Sequence, residues 1–250
     1  MQNQSRLVSS PAPNWVPGDK QPSPLGADVK HVSIDPRKES SVYSLMISSC
    51  VPRPVAFVST LNASGKGNLA PFSYFGVVSH DPPTLMLGIC TTPGGAKKDT
   101  IVNIEATGEF VVNIISDWMV EAASHCAGNY PAGVNEMEVT GLTPLASEVV
   151  APCRVAESAV HFECKLLNTQ EIFNEKGSHT TTMVLATVAR VHVMEPLLKG
   201  KGQGRDGGNN YSVDFSQYRP LGRLGGDSWV HLGDRFDIKR PQDSELVPLK

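Results

Sequence analysis

Residues 53–75 read RPVAFVSTLNASGKGNLAPFSYF. Val55 to Thr60 has the apolar and β-branched content of a strand, and the run from Phe72 onward has it again. Between them lie Asn62, Ser64, Gly65, Gly67 and Asn68, small polar residues that leave peptide groups accessible. Two buried strands separated in this way predict a polar rim at one end of a β-rich core.

Working outward, strands dominate. After Phe72–Ser79 comes a turn at His80-Asp81-Pro82-Pro83, then strands over Thr84–Ile89, Glu109–Ile114, His161–Leu167 and Thr180–Met194. Alternation slips near Val188-Ala189, which predicts a bulge. Three helices interrupt them. One starts at Asp35-Pro36 and carries Val42, Leu45 and Met46; a second is capped by Asp99 or Thr100 and ends at Gly108; a third is capped by Ser116 and runs through Trp118, Met119, Ala122 and Ala123. Many short strands with few helices predict a mainly β (α+β) chain forming a closed or nearly closed barrel. Regular strand and helix alternation is absent, which argues against a doubly wound nucleotide-binding sheet.

Composition narrows the function classes. The chain has 250 residues, 40% hydrophobic and 19% charged, with a formal net charge of -3. That balance offers no electrostatic footprint for nucleic acid or an anionic membrane. No apolar run reaches membrane-spanning length and the N-terminus lacks a secretory pattern, so a soluble, cytoplasmic protein is expected. The expected organisation is a disordered or loosely packed tail over 1–27, one domain over 28–240 and a C-terminal tail over 241–250. Residues 1–25 hold Pro11, Pro13, Pro17, Pro22 and Pro24 with few apolar partners. The five cysteines are far apart and form no C-x-x-C pair, so they are expected to be reduced and mostly buried, with no metal bound.

Several motif matches fail on context. Gly202-Gln-Gly204-Arg-Asp-Gly207 fits G-x-G-x-x-G, but a dinucleotide fingerprint needs a helix after it, and Gly208-Asn209-Asn210 follows instead. The Gly-rich 200–208 stretch reads as a disordered loop or a lid. His161-Phe-Glu163 fits the H-x-E of zinc deaminases without the downstream P-C-x-x-C, so both residues read as same-face neighbours on a strand.

Two clusters survive. Ser59, Thr60, Asn62, Ser64, Gly65, Gly67, Asn68 and Ser73 supply hydroxyl, amide and peptide groups that suit a planar, heteroatom-rich ligand such as a flavin ring. Thr91 to Thr100 combines hydroxyls, Lys97, Lys98 and a predicted helix N-terminus, the elements that stabilise a phosphate. The first could equally be a polar hairpin loop and the second a solvated cap.

The ordered motifs carry a resemblance. Arg53-Pro54-Val55-Ala56-Phe57-Val58-Ser59-Thr60, Gly67-Asn68-Leu69-Ala70-Pro71-Phe72-Ser73, Asp81-Pro82-Pro83, Lys98-Asp99-Thr100 with Asn103-Ile104, Gly108 to Asn113, and late Arg219-Pro220 and Arg223-Leu224-Gly225-Gly226 resemble the flavin reductase-like, FMN-binding split-barrel family. The likeness covers about residues 40–230. It implies a six-stranded antiparallel Greek-key split barrel, a homodimer, and FMN near the subunit interface. By motif position it implies Ser59, Thr60, Asn68, Leu69, Ala70 and Ser73 along the isoalloxazine and ribityl chain, and Lys98, Asp99 and Thr100 at the phosphate. Arg53 would serve the phosphate or pair with a carboxylate.

The implied activity is a flavin reductase type oxidoreductase that takes a hydride from NADH or NADPH and passes electrons to an acceptor. The flavin would carry the chemistry, so no catalytic side chain is assigned; His125 is the substrate-side candidate. Phe72, Tyr74 or Phe75 would shield one face of the ring. A flavoprotein acting on a specific small organic substrate and a non-enzymatic flavin carrier are the other readings.

Overall fold

The computed structural model describes residues 5–26, 29–38, 42–203 and 209–241. Its centre is a seven-stranded antiparallel sheet. The strands are β1 (Ala56–Leu61), β2 (Gly67–Phe72), β3 (Phe75–His80), β4 (Pro83–Cys90), β5 (Glu109–Ile114), β6 (Val160–Phe173) and β7 (His179–Val193), in the spatial order β2-β1-β5-β6-β7-β4-β3. The helices are α1 (Tyr43–Ser49), α2 (Asp99–Thr107), α3 (Val120–His125), α4 (Glu136–Thr140) and α5 (Phe215–Tyr218).

Barrel curvature follows from connectivity. β2 and β3 are the opposite edges of the sheet, yet only Ser73 and Tyr74 join them in sequence. A flat sheet of that width cannot bring its edges so close, so it must curl. Side chains from both ends meet inside: Ala56 and Val58 of β1, Leu85, Leu87 and Ile89 of β4, Phe110 and Val112 of β5 and Val184 and Ala186 of β7 share one buried core. Ile101 and Ile104 of α2 pack into the same core. Gly108 ends α2 with φ 72°, a left-handed conformation that glycine adopts without a Cβ clash.

A second core covers the outer side of β1 and β2. Phe57, Leu69 and Val55 pack there with Met119 and Ala123, and with Met137, Leu142 and Val155. β1 is therefore buried on both faces, which explains why AFVSTL reads as a nearly continuous apolar run.

The expected strand count of six becomes seven because Gly67–Phe72 is a strand and not loop. β2 is an edge: the N–H of Leu69 points away from the ladder, to Glu136, and position 71 faces the same way by strand periodicity, so the missing proline donor costs no ladder bond. The strand expected over Phe72–Ser79 starts instead at Phe75, and Phe72 is the last residue of β2. β6 runs six residues past its expected end and forms a long hairpin with β7, which matches the expected Thr180–Met194 to within one residue at each end; the register of β7 against β6 shifts between Val188 and Arg190, where the bulge was predicted.

Four local expectations are corrected. Neither Asp99 nor Thr100 caps α2: both are helical residues, and the cap position is Lys98, which makes no side-chain capping bond. Pro36 to Lys38 form only a turn, held by Asp35 accepting from the Arg37 N–H at 3.1 Å, and the helix starts at Tyr43. Ser116 does not cap: its hydroxyl donates to Tyr218 O at 2.8 Å, and a 3-10 turn, Asp117–Met119, precedes α3. Cys126 and Cys164 are buried, but Cys50 and Cys90 are exposed because each lies at the end of its element.

Residues 5–26 carry no helix or strand; Leu7 bridges Arg235 and Arg6 pairs with Asp234 at 2.9 Å. Strand Leu198–Gln203 pairs with strand Asn209–Val213, so no helix follows the G-x-G-x-x-G match. Residues 200–203 of the expected Gly-rich loop are therefore strand, and its residues 204–208, with 242–250 of the expected C-terminal tail, lie outside the described residues. Among the described residues, no helix is long and apolar enough to cross a membrane and no cluster of His, Cys, Asp and Glu could hold a metal.

Candidate functional site

The Thr92-Pro-Gly-Gly-Ala96 segment is a tight turn. Thr92 N–H donates to Ala96 O at 2.9 Å, the Ala96 N–H donates to Thr92 Oγ1 at 3.1 Å, and Gly95 takes φ 81°. This turn delivers Lys97 and Lys98 to the start of α2. The two lysines then differ. Lys97 Nζ lies 2.8 Å from both Glu105 and Glu171, and those carboxylates, Glu105 foremost, raise its pKa. Lys98 has no carboxylate within ion-pair distance among the described residues; its ammonium sits 5.9 Å from the Phe72 ring centroid.

α2 begins at the cleft with unused donors. Ile101 and Val102 N–H both donate to Lys98 O, whereas the N–H groups of Asp99 and Thr100 meet no acceptor among the described residues. Beside them Asn68 Nδ2 donates to Thr100 Oγ1 at 3.0 Å and to Thr60 Oγ1 at 3.3 Å, and Asn103 Nδ2 donates to Thr60 Oγ1 at 3.0 Å. This buried network fixes β1, β2 and α2 relative to one another.

A cleft of about 350 Å³ opens over this corner, walled by Asn68, Ala70, Phe72, Lys98, Asp99 and Thr100. Its far side is Cys126 to Tyr130 with Glu136. A second hollow of about 510 Å³ shares Pro71, Ala127 and Gly128 with the first and continues past Ser73 to His125, Arg223 and Trp229. The result is one groove with a cationic, N–H-rich end and an aromatic end. Gly128 lies where both halves meet; a Cβ there would sit 3.1 Å from the Tyr130 ring.

Burial dominates the electrostatics of the far wall. It pushes the Cys126 thiol up to about 11, which keeps a neutral thiol against the cleft. It also raises the Glu136 carboxyl above the ordinary carboxylate range, with the Asp99 charge adding to the effect.

The structure brings Asn68, Ala70, Ser73, Lys98, Asp99 and Thr100 to the groove. Other expected residues work inside the fold. Ser59 is buried and donates to Cys153 O at 2.5 Å; Thr60 is buried in the amide network; the Leu69 side chain belongs to the second core. Among the described residues, Arg53 neither lines the groove nor pairs with a carboxylate. Its guanidinium donates to the carbonyls of Ile47, Cys50 and Leu224 and to Ser73 Oγ, stapling α1 to the late Leu221–Arg223 strand region. Phe72 reaches the cleft, Phe75 packs on the barrel core, and Tyr74 lies against Gly88. His125 is exposed on the second hollow, edge-on to Tyr130 at 6.0 Å.

Sequence reasoning missed Glu136 and Trp229. Asn135 caps α4 by accepting from the Met137 N–H at 3.2 Å, and this Asn-Glu-Met start was the signal that could have placed Glu136 on a helix entering the site. Trp229 carried none beyond its rarity; it is located by stacking with Arg223 at 4.8 Å.

Residues 48–206 match the family described as flavin reductase like domain. The chain belongs to the flavin reductase-like family. Within the family it is 34% identical to an uncharacterized protein of Halalkalibacterium halodurans over 84% of this chain and 94% of that one. Nitrilotriacetate monooxygenase component B from Bacillus cereus is 32% identical, with a TM-score of 0.76 over 84% of this chain and 100% of that chain. The 2-nitrobenzoate 2-nitroreductase NbaA of Pseudomonas fluorescens is 26% identical, with a TM-score of 0.70 over 86% and 98%. A Shewanella frigidimarina protein with a split barrel domain, 22% identical at a TM-score of 0.65 over 80% and 91%, shares the fold. The flavin reductase-like chain thus carries a family fold whose solved relatives include a nitroreductase and a monooxygenase component.

Proposed function

We propose that this flavin reductase-like protein is an FMN-dependent oxidoreductase that accepts a hydride from NADH or NADPH and passes electrons to a small-molecule or flavin acceptor. The observation that carries the reading is the groove itself. Unpartnered N–H groups at the start of α2 and the uncommitted Lys98 stand at one end, and an aromatic, solvent-open hollow stands at the other.

The residues present fit FMN. The Asp99 and Thr100 N–H groups with Lys98 would hold the phosphate, because a helix N-terminus and a cation both favour an anion. Asn68, Ala70 and Ser73 would border the ribityl chain and ring. When bound, FMN supplies the two-electron chemistry. The chain's own work is positioning: the Thr60, Asn68, Asn103 and Thr100 network locks the wall, and Phe72 and Ala70 exclude water from one side. No side chain of this groove is needed as a general acid or base. His125, Arg223 and Trp229 would meet the nicotinamide or the acceptor at the open end. A homodimer whose partner covers that end belongs to the same reading.

Fluorescence titration of FMN and riboflavin against the wild type and Lys98→Ala tests it. Wild type should bind FMN more tightly than riboflavin, and Lys98→Ala should weaken FMN roughly tenfold or more while leaving riboflavin nearly unchanged. Equal losses for both ligands would refute the phosphate placement.

A further inference from the structure

Glu136 lines the cleft between Asn68 and Tyr130 and is only 7% exposed. Its Oε2 accepts from the Leu69 N–H at 2.8 Å. Among the described residues no cation forms an ion pair with it, and the charge that bears on it is that of Asp99, of the same sign. Oε1 accepts from no other residue among those described, yet it is not one of the unpartnered atoms sealed from solvent. Because Glu136 borders the cleft and little else of it is exposed, Oε1 keeps its remaining surface there.

The fold alone does not call for a carboxyl at this position. Leu69 needs one acceptor, and a glutamine amide oxygen would serve it with no charge to bury. A buried acid with a single hydrogen bond from another residue and no cation beside it is unfavourable for folding, and acids placed in this way gather at ligand sites.

The group left open is an acceptor, so a complementary ligand must bring a donor to it. On the FMN reading the phosphate lies at Lys98, Asp99 and Thr100, and the chain that follows it passes Asn68 and Ala70. Leu69, to which Glu136 is bonded, stands between those two residues in the strand. A phosphate beside Glu136 would add like charge, whereas a polyol brings hydroxyl donors and no charge.

We infer that Glu136 recognises the ribityl chain, with Oε1 accepting a hydrogen bond from one of its hydroxyls, so that the groove selects flavins that carry the polyol over flavins that lack it. The inference rests on the flavin reading of the groove and adds a second selectivity to it. Lys98 and the free N–H groups of α2 answer to the phosphate, and Glu136 answers to the polyol.

The test is fluorescence titration of the full chain, as apoprotein at pH 8, with FMN, riboflavin and lumiflavin, whose ring bears a methyl group in place of the ribityl chain. Wild type should bind riboflavin roughly tenfold more tightly than lumiflavin or better. Glu136→Gln keeps an acceptor for Leu69 and turns an amide N–H toward the cleft. It should weaken riboflavin and FMN by about tenfold each and lumiflavin by less than about twofold. Lys98→Ala, by contrast, should weaken FMN alone.

A role confined to holding the wall would move all three flavins together. That result, no change with any of them, or equal binding of riboflavin and lumiflavin by the wild type would overturn the inference while leaving flavin binding in place. A wild type that binds none of the three would overturn the flavin reading, and the inference with it. Urea unfolding at the same pH reports whether Glu136→Gln is folded; an unfolded variant would contradict the claim that glutamine serves Leu69, on which the inference stands.

Discussion

The N–H of Leu69 donates to Oε2 of Glu136 at 2.8 Å, so a carboxyl that is only 7% exposed seals the free edge of the strand that walls the groove. The contact joins a groove-lining strand to α4 without a ladder bond. It also puts a titratable group where its charge is disfavoured.

The pH dependence of that contact has a definite sign. Burial raises the folded-state pKa of Glu136 above its ordinary 4.5, so its favourable contribution is full below 4.5 and is lost as pH rises through the raised value. Glu136→Gln keeps an acceptor for Leu69 and removes the charge. Its stability relative to wild type should therefore be higher at pH 8 than at pH 4.5, as read by urea unfolding at the two values. A difference that does not grow with pH would contradict the assignment.

Glu163 behaves in the opposite way. It is fully buried, which alone would raise its pKa, but the N–H groups of Glu148 and Val149 at 2.9 and 2.7 Å and His192 at 2.5 Å outweigh burial and lower it. Its stabilisation is present above the ordinary 4.5 and disappears as pH falls through the lower folded value. Glu163→Ala leaves these donors unpaired and should cost on the order of 3 kcal/mol at pH 7. The deficit of Glu163→Gln relative to wild type should shrink as the solution is acidified below 4.5, measured by thermal unfolding across the acid range.

Asn68 links a groove wall to a helix start. Removing its amide in Asn68→Ala should lower stability by about 1 kcal/mol and weaken FMN roughly tenfold. Unchanged FMN affinity in a folded variant would mean that the network holds the barrel but not the cofactor.

His125 lies in the second hollow, away from the Lys98 and Thr100 corner. His125→Ala should leave FMN affinity within a factor of two of wild type, a rough bound for an exposed side chain. Steady-state kcat/KM for the nucleotide or the acceptor should fall. Loss of FMN affinity instead would move His125 from the substrate side to the cofactor.

Much of this was legible in the chain. Strand-like runs marked β1, β4, β5, the start of β6 and the whole of β7, and Gly108 marked the end of α2, because strand pairing and the left-handed cap act on local sequence. β2 was not, since Pro71 is tolerated only because its strand is an edge, and edges are decided by the whole sheet. Asn68, Lys98 and Thr100 could be placed at the groove from their motif. Ser59, Leu69 and Arg53 share those motifs, yet their side chains face the outer core or the α1 staple. Strand periodicity separates positions 68 and 70 from 69, but which face meets the groove depends on the cover supplied by α3 and α4. Glu136 lies far from the motifs in sequence and reaches the groove through long-range packing alone, and Trp229, three residues past the Arg223 to Gly226 motif, is located by its stacking on Arg223.

The most direct measurement is the visible absorption spectrum of the purified protein reconstituted with FMN, followed during anaerobic addition of NADH and then of NADPH. The account predicts a bound-flavin spectrum that bleaches with one or both nucleotides. A protein that leaves FMN unbound, or binds it and stays yellow with both nucleotides, would contradict an FMN-dependent, NAD(P)H-driven oxidoreductase.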